Sequence, residues 1–132
     1  MNYSLQDCIG SRFRRISRII DSYFRVEAKK FGITENQMTI LFALHSLGKV
    51  AQHQIGQNLA LEKSTVSRNL SHLEKKGYVT RGEAYHPEVN LTPKGKKLVL
   101  QLIPLWEKVM CELVEKLDAT IFDSITEIER KL

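Results

Sequence analysis

Residues 61–79 read LEKSTVSRNLSHLEKKGYV, and no other stretch narrows the possible folds so far. Wound as a helix at about 100° per residue, Val66, Leu70 and Leu73 gather on one side while Ser64, Arg68, Ser71 and Lys75 gather on the other. The first group demands a hydrophobic partner. The second differs from a merely solvated face of Glu and Lys, because Ser64, Thr65, Ser67, Asn69, Ser71 and His72 are short hydrogen-bonding residues with one Arg among them. Such a face lets another surface approach the backbone closely. Gly77 is placed to end the helix, and Lys75 and Lys76 suit the negative end of its dipole.

The neighbouring sequence supplies the partner elements. VAQHQIGQNLA predicts a helix with Ile55 and Leu59 four apart, joined through Ala60 and Leu61 to the helix above. Two helices on so short a turn form a helix-turn-helix, with Gly56 small enough for close crossing and Val66 filling the angle. Next, YVTR reads as a strand, GEAYHPE as a turn containing Gly82 and Pro87, and VNLT as a returning strand with Val89 and Leu91 on one side. Strands this short need helices beneath them. The expected class is mainly α with a small two- or three-stranded β wing, a winged helix-turn-helix.

Longer helices enclose this unit. Leu5, Ile9, Phe13, Ile16, Ile20 and Phe24 recur at steps of three and four, a single apolar stripe closed by Gly32. Thr34 is placed as the N-cap of a helix that buries Met38, Leu41, Phe42 and Leu44 and stops near Gly48. Thr92 and Pro93 open a long helix striped by Leu98, Leu102, Leu105, Val109, Leu113 and Leu117 and bent at Pro104; Ile121, Ile125, Ile128 and Leu132 mark a last one. One domain is expected over residues 1–132, with its winged core at about 34–92 and flanking helices at about 3–31 and 93–132. The two ends carry more apolar surface than so small a core covers. Leu5, Ile9, Phe13 and Ile16 from one end, and Leu113, Leu117, Ile121, Ile125 and Ile128 from the other, are therefore expected to pack across a two-fold homodimer interface.

Charge and motif content limit the partners. The formal net charge is +5, and its distribution is uneven. Residues 1–31 hold seven basic against three acidic groups, residues 62–100 eight against four, and residues 101–132 four against seven. The cationic excess coincides with the short-chained helix and suits a polyanion. The longest apolar run, ILFAL at 40–44, is far short of a membrane span, and MNYSLQDC lacks the basic flank and apolar core of a secretory signal, so a cytoplasmic protein with no membrane partner is expected. Cys8 and Cys111 show no CxxC or Cys/His ligand spacing, which gives no reason to expect a metal or cofactor; Cys8 is either a redox-active thiol or a half-buried inert one. There is no GxSxG, glycine-rich phosphate loop or HExxH, and His45, His53, His72 and His86 form no acid–base set, so the chain is not expected to be an enzyme.

Three segments together resemble the MarR family of bacterial transcription regulators. ITENQMTILFAL looks like that family's second helix, VAQHQIGQNLALEKSTVSRNLSHLEKKGYVTR like its helix-turn-helix, and VNLTPKG like the strand and helix start that close its wing. The similarity runs in order over roughly residues 5 to 130. It implies a dimer whose winged lobes read adjacent major grooves of a pseudo-palindromic operator on double-stranded DNA, a dimeric repressor released by a small molecule or an oxidant.

Carried onto this chain, the base-reading and phosphate-touching positions are Ser64, Thr65, Ser67, Arg68 and Asn69, with Lys63 and His72 at the margins. The chemistry agrees: Arg grips guanine bidentately, Asn pairs with adenine, and Thr offers its methyl to thymine. Gln52 and Gln54 are candidate phosphate contacts, as is Lys94; Arg81 serves structure or phosphate, and His86 is either a wing contact or an exposed turn residue. A small-molecule cavity, where the family has one, would draw on Tyr23, Phe24, Phe31, Phe42 and Trp106, which otherwise belong to the core. The wing departs from the family pattern, since GEAYHPE has no Arg at its tip. The rival function is a winged helix that binds protein, an adaptor or anti-regulator without DNA contact.

Overall fold

The structure, a computed structural model, describes residues 2–132. Helix α1 (Ile9–Lys29) is capped by Cys8, whose Sγ accepts from the Ser11 N–H at 3.4 Å. The helix therefore starts later than the apolar stripe suggests. Leu5 lies in a turn ahead of it, where Ser4 Oγ donates to the Asp7 carboxylate and accepts from the Asp7 N–H, so Leu5 is not part of the helical stripe. Gly32, at φ 70°, closes the turn after α1. Thr34 then caps α2 (Glu35–Leu47) in a full capping box: Thr34 Oγ1 accepts from the Gln37 N–H while Gln37 Oε1 accepts from the Thr34 N–H.

Three short strands follow a pattern only partly visible in the sequence. Strand β1 (Val50–Ala51) precedes α3 (Gln52–Leu59), which turns through Ala60 into α4 (Lys63–Lys75); β2 (Val79–Arg81) and β3 (Glu88–Leu91) then form the wing. The sheet is antiparallel in the order β1-β3-β2, with Val50 opposite Val89 and Val79 opposite Leu91. Two residues carry no periodicity, so β1 was read as the start of the α3 helix.

Helix α5 (Pro93–Leu117) begins at Thr92, whose Oγ1 donates to the Gly77 carbonyl and accepts from the Gly95 N–H, and it runs on through Pro104 without ending. Helix α6 (Ile121–Lys131) completes the chain. The core sits where α2, α3, α4 and α5 converge: Ile40, Leu41, Ile55, Leu70, Leu73 and Leu102 are fully buried. Buried Glu27 on α1 is paired with Lys30 and, at 3.3 Å, with Lys108 on α5, which anchors the first helix to the fifth.

The chain ends remain uncovered. Ile9, Phe13 and Ile16 are 72%, 49% and 49% exposed, and no residue of α6 is buried. Leu113, expected at the same interface, is already buried within the single chain.

Candidate nucleic-acid interface

Helix α4 is held by Val66, Leu70 and Leu73, all buried. Gly56 makes this close crossing possible: a Cβ there would stand 3.2 Å from the Leu61 carbonyl oxygen and 3.5 Å from Val66 Cγ2. The outer side presents Lys63, Ser64, Arg68 and His72 to solvent, with Thr65, Ser67 and Ser71 half-buried beside them. The N-cap residue Glu62 makes no side-chain capping bond, and the first turn holds no acidic residue. The free amides and positive dipole end there favour an anion.

Behind the face lies a network centred on Arg81 of β2. Its Nη2 donates to Ser71 Oγ at 2.8 Å and to Glu74 Oε1 at 3.4 Å, while Nη1 reaches Gln52 Oε1, Ser67 O and Ser67 Oγ, each at 3.4 Å. The guanidinium fork thus joins β2, α3 and α4 and sets the angle between the wing and α4. Of the two roles open for Arg81 in the sequence, these bonds match the structural one. Ser67 and Gln52 spend hydrogen-bonding capacity on the same network.

Three other expected contacts are also committed internally. Asn69 does not stand on the open face: its Oδ1 accepts from Gln37 Nε2 at 3.3 Å and its Nδ2 donates to the Thr65 carbonyl at 2.9 Å. At about 300° from Val66, it lies on the edge nearest the core, and its amide ties α4 to the α2 capping box. Gln54 Oε1 accepts from the Ala51 N–H and so caps α3. Lys94 Nζ donates to the Lys76 carbonyl at 2.7 Å and lies 4.9 Å from the Tyr78 ring centroid, fastening α5 to the end of α4. His86 stays exposed at the wing tip.

The structure adds residues that the sequence reading passed over. These are Tyr85 on the wing and His53 on α3, which line one cleft of about 590 Å³ together with His86, Lys63, Leu61 and Val66. The bare presence of an aromatic in the turn GEAYHPE was the available signal for Tyr85. A second cavity, about 350 Å³, is lined by Phe24, Met38, Phe42 and Trp106. It gathers three of the five aromatics expected there; Phe31 packs on the core, and the Tyr23 hydroxyl accepts from Lys116 Nζ.

The sequence profile of the MarR family matches residues 31–87, from the end of α1 to the wing tip. Residues 31–87 belong to the MarR family. An HTH-type transcriptional regulator of Bacillus subtilis, YwoH, is 31% identical over 65 residues, which cover 49% of this chain and 47% of that protein. The chain spans about half the length of the curated relatives it matches. Likeness of fold extends further. The structure of Bordetella bronchiseptica BpsR, solved to explain regulation of its DNA binding by 6-hydroxynicotinic acid, superposes with a TM-score of 0.86 at 21% identity, covering 99% of this chain and 97% of that one. A MarR variant from E. coli complexed with operator DNA superposes at 0.82 and 19% identity, covering 98% of each chain. Both share the winged-helix fold of this chain. No helix among the described residues is long and apolar enough to cross a membrane.

Proposed function

We propose that the chain is a dimeric, sequence-specific DNA-binding repressor whose α4 enters the major groove of each operator half-site. The observation that carries this is the open edge of Lys63, Ser64, Arg68 and His72 on a helix whose opposite side is locked in the core. Arg68 supplies the bidentate donor for guanine, Ser64 and Thr65 are short enough to admit the groove wall, and the uncapped α4 N-terminus with Lys63 takes a phosphate. The E. coli neighbour is seen with operator DNA, which favours the same role here. The uncovered apolar stripes of α1 and α6 favour a second copy of the chain as the partner of Ile9, Phe13, Ile16, Ile125 and Ile128.

Release from DNA is assigned to a small molecule in the cavity of Phe24, Met38, Phe42 and Trp106, which lies where α1, α2 and α5 meet. Oxidation of Cys8 is the second route. The hydrogen bond from Ser11, aided by Arg14, holds that thiol below its usual range, which favours the reactive thiolate. The test is duplex binding followed across salt concentrations: affinity is expected to fall by orders of magnitude between about 50 and 200 mM salt. Binding that ignores salt, or is absent at low ionic strength, favours the protein-binding adaptor instead.

A further inference from the structure

The wing tip, Gly82–Pro87, contains no lysine or arginine and carries one carboxylate, Glu83, that repels phosphate. A lysine or arginine reaching into a groove is therefore not available from this loop. What the loop offers is Tyr85, 92% exposed. Its ring stands edge-on to His86, with centroids 4.6 Å apart, and His86 stands edge-on to His53 of α3 at 6.3 Å. The loop is pinned at its base. The Gly82 N–H donates to the Glu88 carbonyl at 3.0 Å, and the Gln52 N–H donates to the Pro87 carbonyl at 2.9 Å. An exposed aromatic is thus held out by a tied loop and a relay of rings.

The cleft of about 590 Å³ has this aromatic group on one bank and Lys63, at the first turn of α4, on the other. A sugar–phosphate strand bordering a major groove occupied by α4 would fit this cleft, with its phosphates toward Lys63 and its deoxyribose, an apolar C–H surface, toward the wing tip. A tyrosine ring matches it without needing charge.

We propose that Tyr85 is the wing's DNA contact, packing on the deoxyribose of the strand seated in the cleft, with His86 and His53 holding the ring in place. This rests on the DNA-binding reading above. The test uses the full chain and a duplex that it enriches from a random-oligonucleotide pool, with affinity measured across salt concentrations. Tyr85→Ala is expected to lose roughly fivefold to thirtyfold in affinity, the range of one lost aromatic contact, while the salt slope keeps its wild-type value. Tyr85→Phe retains the affinity to within about twofold, because the ring makes the contact. Tyr85→Arg steepens the slope by about one. In hydroxyl-radical footprints, Tyr85→Ala loses protection of sugars flanking the α4 contacts. Wild-type affinity and footprint in Tyr85→Ala overturn the proposal alone, whereas a wild-type chain that enriches no duplex overturns the DNA-binding reading with it.

Discussion

Arg81 Nη2 donates to Ser71 Oγ across 2.8 Å, and this bond joins the first wing strand, β2, to α4. Together with the reach of Nη1 to Gln52 and Ser67, it makes one guanidinium the joint of three elements. Arg81→Ala is expected to lower stability by about 1–3 kcal/mol in urea denaturation, the range for hydrogen bonds to a charged group. Arg81→Lys recovers little, since a compact ammonium lacks the wide planar fork with which two nitrogens reach partners on α3 and α4. Equal stability of Arg81→Ala and parent would mean that the network carries nothing.

Arg68 and Asn69 are adjacent, yet they are predicted to separate. Arg68→Ala lowers operator affinity by about 1–3 kcal/mol and relaxes base choice at one position per half-site, leaving the melting temperature unchanged. Asn69→Ala chiefly lowers stability, by about 1 kcal/mol, because it unties α4 from Gln37. Anisotropy titrations beside thermal melts read the two effects; the reverse assignment would place Asn69 on the bases after all.

Gly95 packs directly beneath the Tyr78 backbone, and a Cβ there would collide with the Tyr78 carbonyl oxygen. Backbone cannot swing aside as a flexible side chain does. Gly95→Ala is expected to destabilise the chain by more than about 3 kcal/mol, measured by chemical denaturation. A loss under 1 kcal/mol would show that α5 and the wing adjust freely.

Glu27 predicts a pH dependence. Its hydrogen bond from Lys30, opposed by desolvation and reinforced by Lys108, holds the carboxyl below its ordinary value of 4.5. A depressed carboxyl contributes stability that is fully present above the ordinary value and is lost as pH falls through the folded one. Thermal melts of wild type should therefore decline more steeply below pH about 4.5 than those of Glu27→Gln, which should already be weaker at neutral pH. Parallel declines would assign acid sensitivity elsewhere.

Removing residues 1–12 takes away Ile9 and the Cys8 cap of α1. Sedimentation of the shortened chain is expected to give monomer with weak operator binding, since each half-site alone contributes too little affinity. A shortened chain that sediments as a dimer counts against the α1 stripe as an interface.

Much of the fold was legible because helices announce themselves locally. Thr34, Thr92 with Pro93, and the glycines at 48 and 77 mark helix ends by chemistry within a few residues, and each is found in that role. Gly56 against Leu61 and Val66 was readable for the same reason. Strand β1 was not, because two residues acquire their structure only from β3, some forty positions later.

By itself the sequence determined which faces of the helices are apolar, where α2 and α5 begin and where α2 and α4 end, and that a polar, cationic face lies on α4. Only the tertiary structure decided which polar side chains on α4 and around it are already hydrogen-bonded within the chain. Asn69, Gln54, Arg81 and Lys94 look like DNA ligands by type, but each is held by a partner brought close through folding. A hydrogen-bonding group serves whichever acceptor or donor reaches it first, and composition cannot say how near that partner will be.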